Sequence, residues 1–296
     1  MDNIIMRTNG LTKKYGDHYA VDHVNMTINK GDIYGFVGEN GAGKTTIIRL
    51  ITGLARPTEG SYEYPNKKNR IQAIVESPSL YLNLSATDNL KIKCNLEGVS
   101  YDSIFDILKT VGLSNFYDSK KKVRNFSLGM RQRLGIAMSL VGDPDLLIFD
   151  EPTNGLDPEG IVAMRNFLLE LNKAGKTILI SSHILDELSK VATKYGFIHH
   201  GKLLQEITAD ELRKKCQKTL RLKIENLDVH LEEFVSLLGI KEYKINKNVI
   251  LIKDELDISN TVLTIASNGF KILEIECREE NIEKYYLKLI GGKKNA

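Results

Sequence analysis

The sequence predicts an α/β fold with a mixed sheet and a helical subdomain, followed by a small α+β unit. Two apolar segments, 33–37 and 146–149, have the uninterrupted hydrophobic character of strands that are buried on both faces of a sheet. Each leads directly into glycine-rich or acidic residues, at the strand end where open α/β sheets bind their ligands. After Gly201 the pattern changes to short alternating strands. We therefore expect one large unit and one small one.

The length and composition suit this division. The chain has 296 residues, 42% hydrophobic and 27% charged, as in an ordinary soluble globular protein. Its net charge of +3 does not indicate nucleic acid as the main partner. The cysteines Cys94, Cys216 and Cys277 are far apart and fit no metal-ligand spacing, so we expect reduced thiols in the cytoplasm.

The sequence shows no pattern typical of a membrane-spanning helix or of a targeting signal. No apolar stretch approaches the roughly 18–20 residues that cross a bilayer, and the first residues lack the layout of a signal peptide. A function at a membrane would therefore require another chain to supply the membrane-spanning part.

A glycine-rich loop, G-E-N-G-A-G-K-T, lies between the first apolar segment and a helix-like stretch. This strand–loop–helix context distinguishes a phosphate-binding loop from a chance glycine-rich turn. Glycines let backbone amides approach a polyphosphate, and the helix N-terminus adds partial positive charge. Lys44 can reach the β- and γ-phosphates, and the Thr45 hydroxyl can bind Mg²⁺. The predicted nucleotide-binding residues of this loop are Gly38, Glu39, Asn40, Gly41, Ala42, Gly43, Lys44, Thr45 and Thr46.

Two carboxylates, Asp150 and Glu151, follow the second apolar segment. An acidic strand end of this kind accompanies a phosphate-binding loop and holds its Mg²⁺. Asp150 is the predicted metal ligand, directly or through water. Glu151 is the predicted general base that polarises the attacking water. On its own, Glu151 would be better explained as an acid that caps a helix or a turn, and its pairing with the phosphate-binding loop favours the catalytic role.

A third segment, residues 125–137, lies between these sites in the chain. Ser127 is a good helix N-cap, and the run after it predicts an amphipathic helix whose N-terminus can bind an anion. Periodicity alone would make this an ordinary surface helix.

The ordered set of motifs resembles the nucleotide-binding subunit of an ABC transporter. The glycine-rich loop and acidic strand match at full strength, and residues 126–130 resemble the ABC signature segment, keeping Ser127 and Gly129. Residues 154–157 resemble the D-loop. His183 resembles the switch histidine, and Tyr15 stands where the family stacks an aromatic ring on adenine. The resemblance covers residues 1–210 and implies a P-loop NTPase fold of the ABC type.

The sequence departs from the family pattern at three positions. Leu128 and Met130 replace a glycine and a glutamine of the signature segment, and Glu76 stands where the family has a glutamine that contacts metal and water. Glu76 together with the signature segment is similar to ATPases of bacitracin-resistance and lantibiotic-immunity exporters. Neutral drift is the other explanation for Glu76.

The resemblance implies a head-to-tail dimer with ATP and Mg²⁺ between two copies, or between this chain and a paralogue. Separate transmembrane permease subunits would be its other partners, with no nucleic acid, and it would lie on the inner face of the membrane. The residues that the resemblance implies as catalytic are Glu151, His183 and Glu76. The implied metal ligands are Thr45, Glu76 and Asp150. The residues implied to contact nucleotide or the second site include Tyr15, Ser127, Gly129 and Asp157.

The predicted domains are residues 1–215, with a helical subdomain at about 84–140, and residues 216–296. In the second domain, residues 220–224 and 249–252 predict strands, a turn at 246–248 precedes the latter, and 258–265 predicts a helix. A ferredoxin-like arrangement is one expectation for this unit. It contains no catalytic constellation, so we predict a regulatory or dimer-supporting role.

The implied function is ATP hydrolysis that powers export, with a bacitracin- or lantibiotic-type peptide as the substrate. An exporter of another drug or an ion is an alternative. So are a soluble ABC protein acting on ribosomes or DNA and a sensor that signals to a kinase. A single cassette without a long insertion disfavours the ribosomal and DNA-repair alternatives.

Overall fold

A computed structural model describes residues 3–216, 219–253, 257–278 and 281–291 of the chain. The protein divides into two compact units, residues 1–209 and 210–296. The division precedes the predicted boundary at residue 215 because the helix Ala209–Lys215 belongs almost entirely to the second unit. Each unit has its own cluster of buried apolar side chains.

The first unit is built on two sheets. One is antiparallel, with the first strand paired to the second, third and fifth. The described strands of this unit are β1 (Ile4–Tyr15), β2 (His18–Val24), β3 (Thr27–Asn29), β4 (Ile33–Val37), β5 (Glu59–Glu63), β6 (Ile71–Ile74), β7 (Leu146–Asp150), β8 (Thr177–Ser182), β9 (Lys194–His199) and β10 (Lys202–Thr208). The second sheet has the strand order β10-β9-β4-β8-β7-β6, and it is parallel except for β10. The mixed sheet is therefore confirmed.

Helices fill most of the stretch between β6 and β7, and one of them begins at the predicted cap Ser127. Ser85, Ser127 and Asp157 each accept a hydrogen bond from a backbone N–H in the first turn of the helix that follows. Such caps stabilise a helix by about 1 kcal/mol. The helices are α1 (Lys44–Ile51), α2 (Ala86–Glu97), α3 (Ile104–Thr110), α4 (Leu128–Leu140), α5 (Pro158–Lys173), α6 (Leu185–Ser189) and α7 (Ala209–Lys215), with short 3₁₀ helices at Ser114–Phe116 and Val123–Asn125.

The central strands of the parallel sheet are buried on both faces. Every residue of β4, β7 and β8 is buried, which confirms the inference from the uninterrupted apolar character of segments 33–37 and 146–149. Because β4, β7 and β8 are parallel, their carboxyl ends meet at one edge of the sheet. That edge carries the glycine-rich loop and both strand-end acids.

The second unit has a βαββαβ core between the helix Ala209–Lys215 and a last helix. The described strands of this core lie in the sheet order second-third-first-fourth, with antiparallel pairing throughout. This is the ferredoxin-like arrangement. Leu222, Phe234, Ile250 and Ile265 lie fully buried in its core. The tight turn before β13 contains Lys247 at a φ of 52°. The elements are β11 (Thr219–Ile224), α8 (Leu231–Leu238), β12 (Tyr243–Asn246), β13 (Val249–Ile252), α9 (Ile258–Ser267), β14 (Ile272–Arg278) and α10 (Ile282–Gly291).

In the described parts of both units, every helix is too short or too polar to cross a bilayer.

Candidate functional site

The glycine-rich loop runs from the end of β4 to the start of α1, and close approach requires glycine at two of its positions, Gly38 and Gly43. A Cβ built on Gly38 would lie 2.6 Å from Ile198 Cγ2, and one on Gly43 would lie 2.5 Å from the carbonyl oxygen of Ala20. Gly43 also has a φ of 107°, which side chains rarely allow. The loop is thus packed closely against neighbouring residues at Gly38 and Gly43.

Lys44 is buried at the start of α1, and its ammonium group turns back into the loop. Nζ donates hydrogen bonds to the carbonyl oxygens of Gly38 and Glu39, at 2.5 and 3.2 Å. The same Nζ lies 3.3 Å from Glu151 Oε1. The ammonium group is therefore held where the loop can cradle phosphate oxygens.

Thr45 and Asp150 meet at the carboxyl edge of the sheet. The Thr45 hydroxyl donates to Asp150 Oδ2 at 2.8 Å, and Ser181 Oγ donates to Asp150 Oδ1 at 2.5 Å. Asp150 is only 3% exposed. A buried carboxylate beside a hydroxyl offers the hard oxygen ligands that Mg²⁺ prefers, so these two residues fit the implied ion.

Glu151 adopts a left-handed backbone conformation with a φ of 51°. Its N–H donates to Ser181 Oγ at 3.0 Å, which fixes this turn against β8. Its carboxylate bridges two predicted site residues, since Oε2 lies 2.8 Å from His183 Nδ1 and Oε1 faces Lys44. Strained backbone of this kind clusters at functional sites, and Glu151 is placed beside the phosphate loop as a base would need to be.

Glu76 reaches the same edge of the sheet, but its carboxylate points to a different partner. It follows β6, whose Ile74 is paired with Phe149 of β7, so the loops after both strands begin side by side. Glu76 Oε1 lies 2.5 Å from Arg49 Nη2. Among the described residues, there is no group of three or more His, Cys, Asp or Glu side chains that could hold a metal. Thr45 and Asp150 thus contact each other, whereas the carboxylate of Glu76 pairs with Arg49.

The signature segment has local contacts within the chain. Ser127 Oγ accepts the N–H of Met130 at 3.2 Å, and Asp157 accepts the N–H of Gly160 at 2.9 Å. A Cβ built on Gly129 would lie 3.5 Å from Leu156 Cδ2, so the signature and D-loop segments touch. The structure therefore joins these two segments to each other.

Tyr15, at the end of β1, is 54% exposed, and Lys13 Nζ lies 5.1 Å from its ring centroid. An exposed ring is available to stack on a base, and its adenine contact stays a prediction.

Three residues of this region were not identified from the sequence. Ser181 lies in β8 two residues before His183, which directly follows the strand, and strand alternation could have placed both side chains on one side. Arg49 follows Thr45 by four residues and so shares a face of α1. Gln132 Nε2 donates to the carbonyl oxygen of Asn154 at 3.0 Å, a contact that no local pattern indicates.

A packed glycine-rich loop, an inward lysine and a strand-end acid beside a hydroxyl define a P-loop nucleoside triphosphatase. Residues 21–154 match the family described as ABC transporter. The chain belongs to this family, as an ATP-binding and ATP-hydrolysing subunit of a transporter.

Several known proteins are similar. The chain is 42% identical to the bacitracin transport ATP-binding protein BcrA of Bacillus licheniformis, over 97% of this chain and 98% of that one. It is 46% identical to the lantibiotic transport ATP-binding protein SrtF of Streptococcus pyogenes, over 68% and 90%. A solved dimeric ATP-binding cassette in a post-hydrolysis state, bound to ADP and Pi, has a TM-score of 0.61 at 24% identity, over 69% and 98%. That last similarity concerns the fold alone.

Proposed function

We propose that this chain powers the export of a peptide antibiotic, of the bacitracin type first and the lantibiotic type second. The observation that carries the proposal is the extent of similarity. The similarity to the bacitracin protein spans 97% of the chain, so it includes the ferredoxin-like unit. The similarity to the lantibiotic protein spans only 68% of the chain, so it leaves about a third of the chain unmatched.

The proposed working form is a head-to-tail dimer, with a second copy or a paralogue as the partner. Ser127 and Gly129 lie at the N-terminus of α4, where free amides and the helix dipole favour an anion. In the proposed dimer these residues complete the nucleotide site of the other copy, and Asp157 lies at the contact between sites. The dimeric cassette of the same fold supports this arrangement.

Within one site, the residues divide the work by their chemistry. Lys44 and the loop amides neutralise phosphate charge, and Thr45, Asp150 and Glu76 are the proposed ligands of Mg²⁺. When bound, Mg²⁺ neutralises negative charge on the phosphate oxygens. Glu151 accepts a proton from the attacking water, and His183 contacts the γ-phosphate after leaving Glu151. Tyr15 stacks on adenine.

ATP binding is coupled to closure of the proposed dimer. A nucleotide that contacts both chains binds the closed dimer better than the open one, so it shifts the population towards the closed form. Loss of the γ-phosphate removes the contacts to Ser127 and His183, and the dimer reopens.

The permease is proposed to dock beside Glu76, which places the chain on the inner face of the membrane. A cavity of 910 Å³ adjoins the Glu76 loop and is lined by Val75, Ser77 and Pro78. Leu54, Tyr81 and Leu96 on its rim are at least 49% exposed. Exposed apolar side chains grouped around a groove are typical of a protein interface.

The test is drug protection in a sensitive host. The wild-type chain, the Glu151→Gln variant and the Glu232→Gln variant are each expressed with the neighbouring membrane subunits and challenged with bacitracin and a panel of lantibiotics. Glu232 is exposed on α8 and so gives a matched substitution outside the site. We expect protection with wild type and Glu232→Gln and none with Glu151→Gln.

Sensitivity to every peptide, in cells that contain an assembled and ATP-hydrolysing complex, would reject the peptide assignment and leave another drug or an ion as the substrate. Copurification with ribosomes in place of a membrane protein would reject transport. Protection without transport in reconstituted vesicles would indicate a sensor.

A further inference from the structure

Glu76 and Arg49 form an ion pair beside the nucleotide site. Their side chains are 61% and 44% exposed, and the atoms Oε1 and Nη2 are 2.5 Å apart. The backbone of Glu76 has a φ of 61°, a conformation that non-glycine residues seldom adopt. The carboxylate is therefore presented to Arg49 by a backbone that an ordinary loop would avoid.

Arg49 is attached to the same helix as the proposed metal ligand Thr45. The two residues are four apart in α1 and so lie on one face, about one helical turn from each other. Glu76 comes from the neighbouring loop at the same sheet edge. One helix therefore carries both a cation that holds Glu76 and a hydroxyl that belongs to the metal position.

The other acids at this edge already have partners. Asp150 accepts from Thr45 and Ser181, and the Glu151 carboxylate faces Lys44 and His183. Arg49 thus neutralises the third carboxylate of the edge, Glu76. Because the pair is exposed, water screens it, and its two members can separate at low cost in free energy.

We propose that Arg49 is a positioning residue that holds the Glu76 carboxylate away from the magnesium position formed by Thr45 and Asp150. Arg49 and the metal then compete for a single carboxylate, and this competition sets how strongly the metal tightens nucleotide binding. The inference rests on the proposed metal site. The inference gives glutamate at position 76 a function that glutamine would lack, because an uncharged amide would form no ion pair with Arg49.

The test compares affinities for a non-hydrolysable ATP analogue with and without Mn²⁺, on the full-length protein. The dissociation constant without Mn²⁺ is divided by the dissociation constant with Mn²⁺. This ratio measures how strongly the metal tightens nucleotide binding, and changes that affect nucleotide binding equally in both conditions cancel. We expect Arg49→Gln to increase this ratio about two- to fivefold, the range of an exposed ion pair. Arg49→Lys, which keeps the charge, should restore the wild-type ratio.

A double-mutant cycle identifies the carboxylate. In the Glu76→Gln background, Arg49→Gln should leave the ratio unchanged, because the carboxylate for which Arg49 and the metal compete is gone. Arg56→Gln, an exposed arginine just after α1, is the matched control and should leave the ratio at its wild-type value. The Mn²⁺ EPR spectrum of Arg49→Gln should change when Glu76 is present and not otherwise.

An unchanged ratio in Arg49→Gln, or the same increase with and without Glu76, would overturn the inference. Asp150→Asn separates this failure from failure of the metal site itself. If Asp150→Asn abolishes the effect of Mn²⁺ while Arg49→Gln does nothing, only the inference is wrong. If Asp150→Asn retains the full effect, the metal site is wrong.

Discussion

The side chain of Leu128 lies directly against Gly155, so that a Cβ built on Gly155 would be 2.9 Å from Leu128 Cδ2. Leu128 begins α4 and stands where the family pattern has a glycine, while Gly155 lies in the loop that follows the acidic strand. Gln132 fastens the same loop through the carbonyl oxygen of Asn154. The signature helix and the D-loop of one chain are thus packed together.

Gly155→Ala should destabilise the protein and lower its ATPase activity. A left-handed alanine costs about 1–2 kcal/mol, and the collision with Leu128 adds a similar amount, as overpacking does. Displacement of the loop would also move Asp157. Urea unfolding and steady-state ATP turnover measure both effects.

Gly98→Ala is the matched control for that substitution. Gly98 has a φ of 66°, close to the 74° of Gly155, but no atom of the residues that the structure describes lies within 4 Å of its built Cβ. It should lose the backbone contribution alone and keep its turnover. Equal destabilisation of the two variants would show that the contact with Leu128 has no energetic effect.

Lys44→Ala should reduce ATP turnover at least about 100-fold, because it removes the buried ammonium group that the loop holds where phosphate charge must be neutralised. Nucleotide binding should weaken as well, which fluorescence titration with a labelled ATP analogue can measure. Lys67→Ala removes an exposed lysine and should be neutral. Normal turnover in Lys44→Ala would remove the loop from the site.

Glu151→Gln should reduce turnover by about 10²–10⁴-fold, the usual contribution of a general base. Because the amide cannot accept the proton from water, the ATP-bound dimer should accumulate. Light scattering during size-exclusion chromatography with ATP would detect it. Turnover as fast as wild type would exclude Glu151 as the base, and Glu232→Gln should behave as wild type throughout.

The stability of the helical subdomain should depend on pH through Glu97. Hydrogen bonds from Lys93, at 2.6 Å, and from Gln72 hold the pKa of this carboxyl below its ordinary value, although partial burial opposes them. The ionised group therefore stabilises the folded protein above the unfolded pKa of about 4.3. This contribution is lost as the pH falls through the lower folded-state pKa.

Glu97→Gln should accordingly be less stable than wild type at pH 7, by about 0.5–1 kcal/mol. The difference should shrink as the pH is lowered below about 4. Urea unfolding of both proteins at pH 7 and pH 3 measures this change. A difference that stays constant over that range would show that the ionised carboxylate is not responsible.

Much of the fold is determined by local pattern and could be predicted. The buried strands β4 and β7, the cap Ser127, and the strands β11 and β13 of the second unit follow from period and residue type. The long strand β1 was not predicted, because its buried and exposed residues alternate irregularly around register shifts. Such shifts depend on partners that are distant in the chain.

The positions of site residues could be predicted where a single sequence motif contains them. They were harder to predict where a side chain has several possible partners. Lys44, Thr45 and Asp150 lie together because a loop and a strand end fix them. The ion pair between Glu76 and Arg49 depends on a single residue of α1 and on the strained φ of Glu76, and neither feature has a sequence signal. The roles of Tyr15, Ser127, Gly129 and Asp157 concern a nucleotide and a second chain, and they stay predictions.

The position of β4 in the sheet has a consequence for biosynthesis. This strand pairs with β8 and β9, which leave the ribosome about 10–30 s after it at ordinary rates of elongation. The back of the phosphate loop also rests on Ile198, and the N–H of Gly201 donates to Ala42 at 2.9 Å. The loop near the N-terminus therefore cannot acquire its final shape until the last hairpin of the first unit has been made. Nascent chains shorter than this would be unable to gain stability from cellular ATP, and they would depend on chaperones in the meantime.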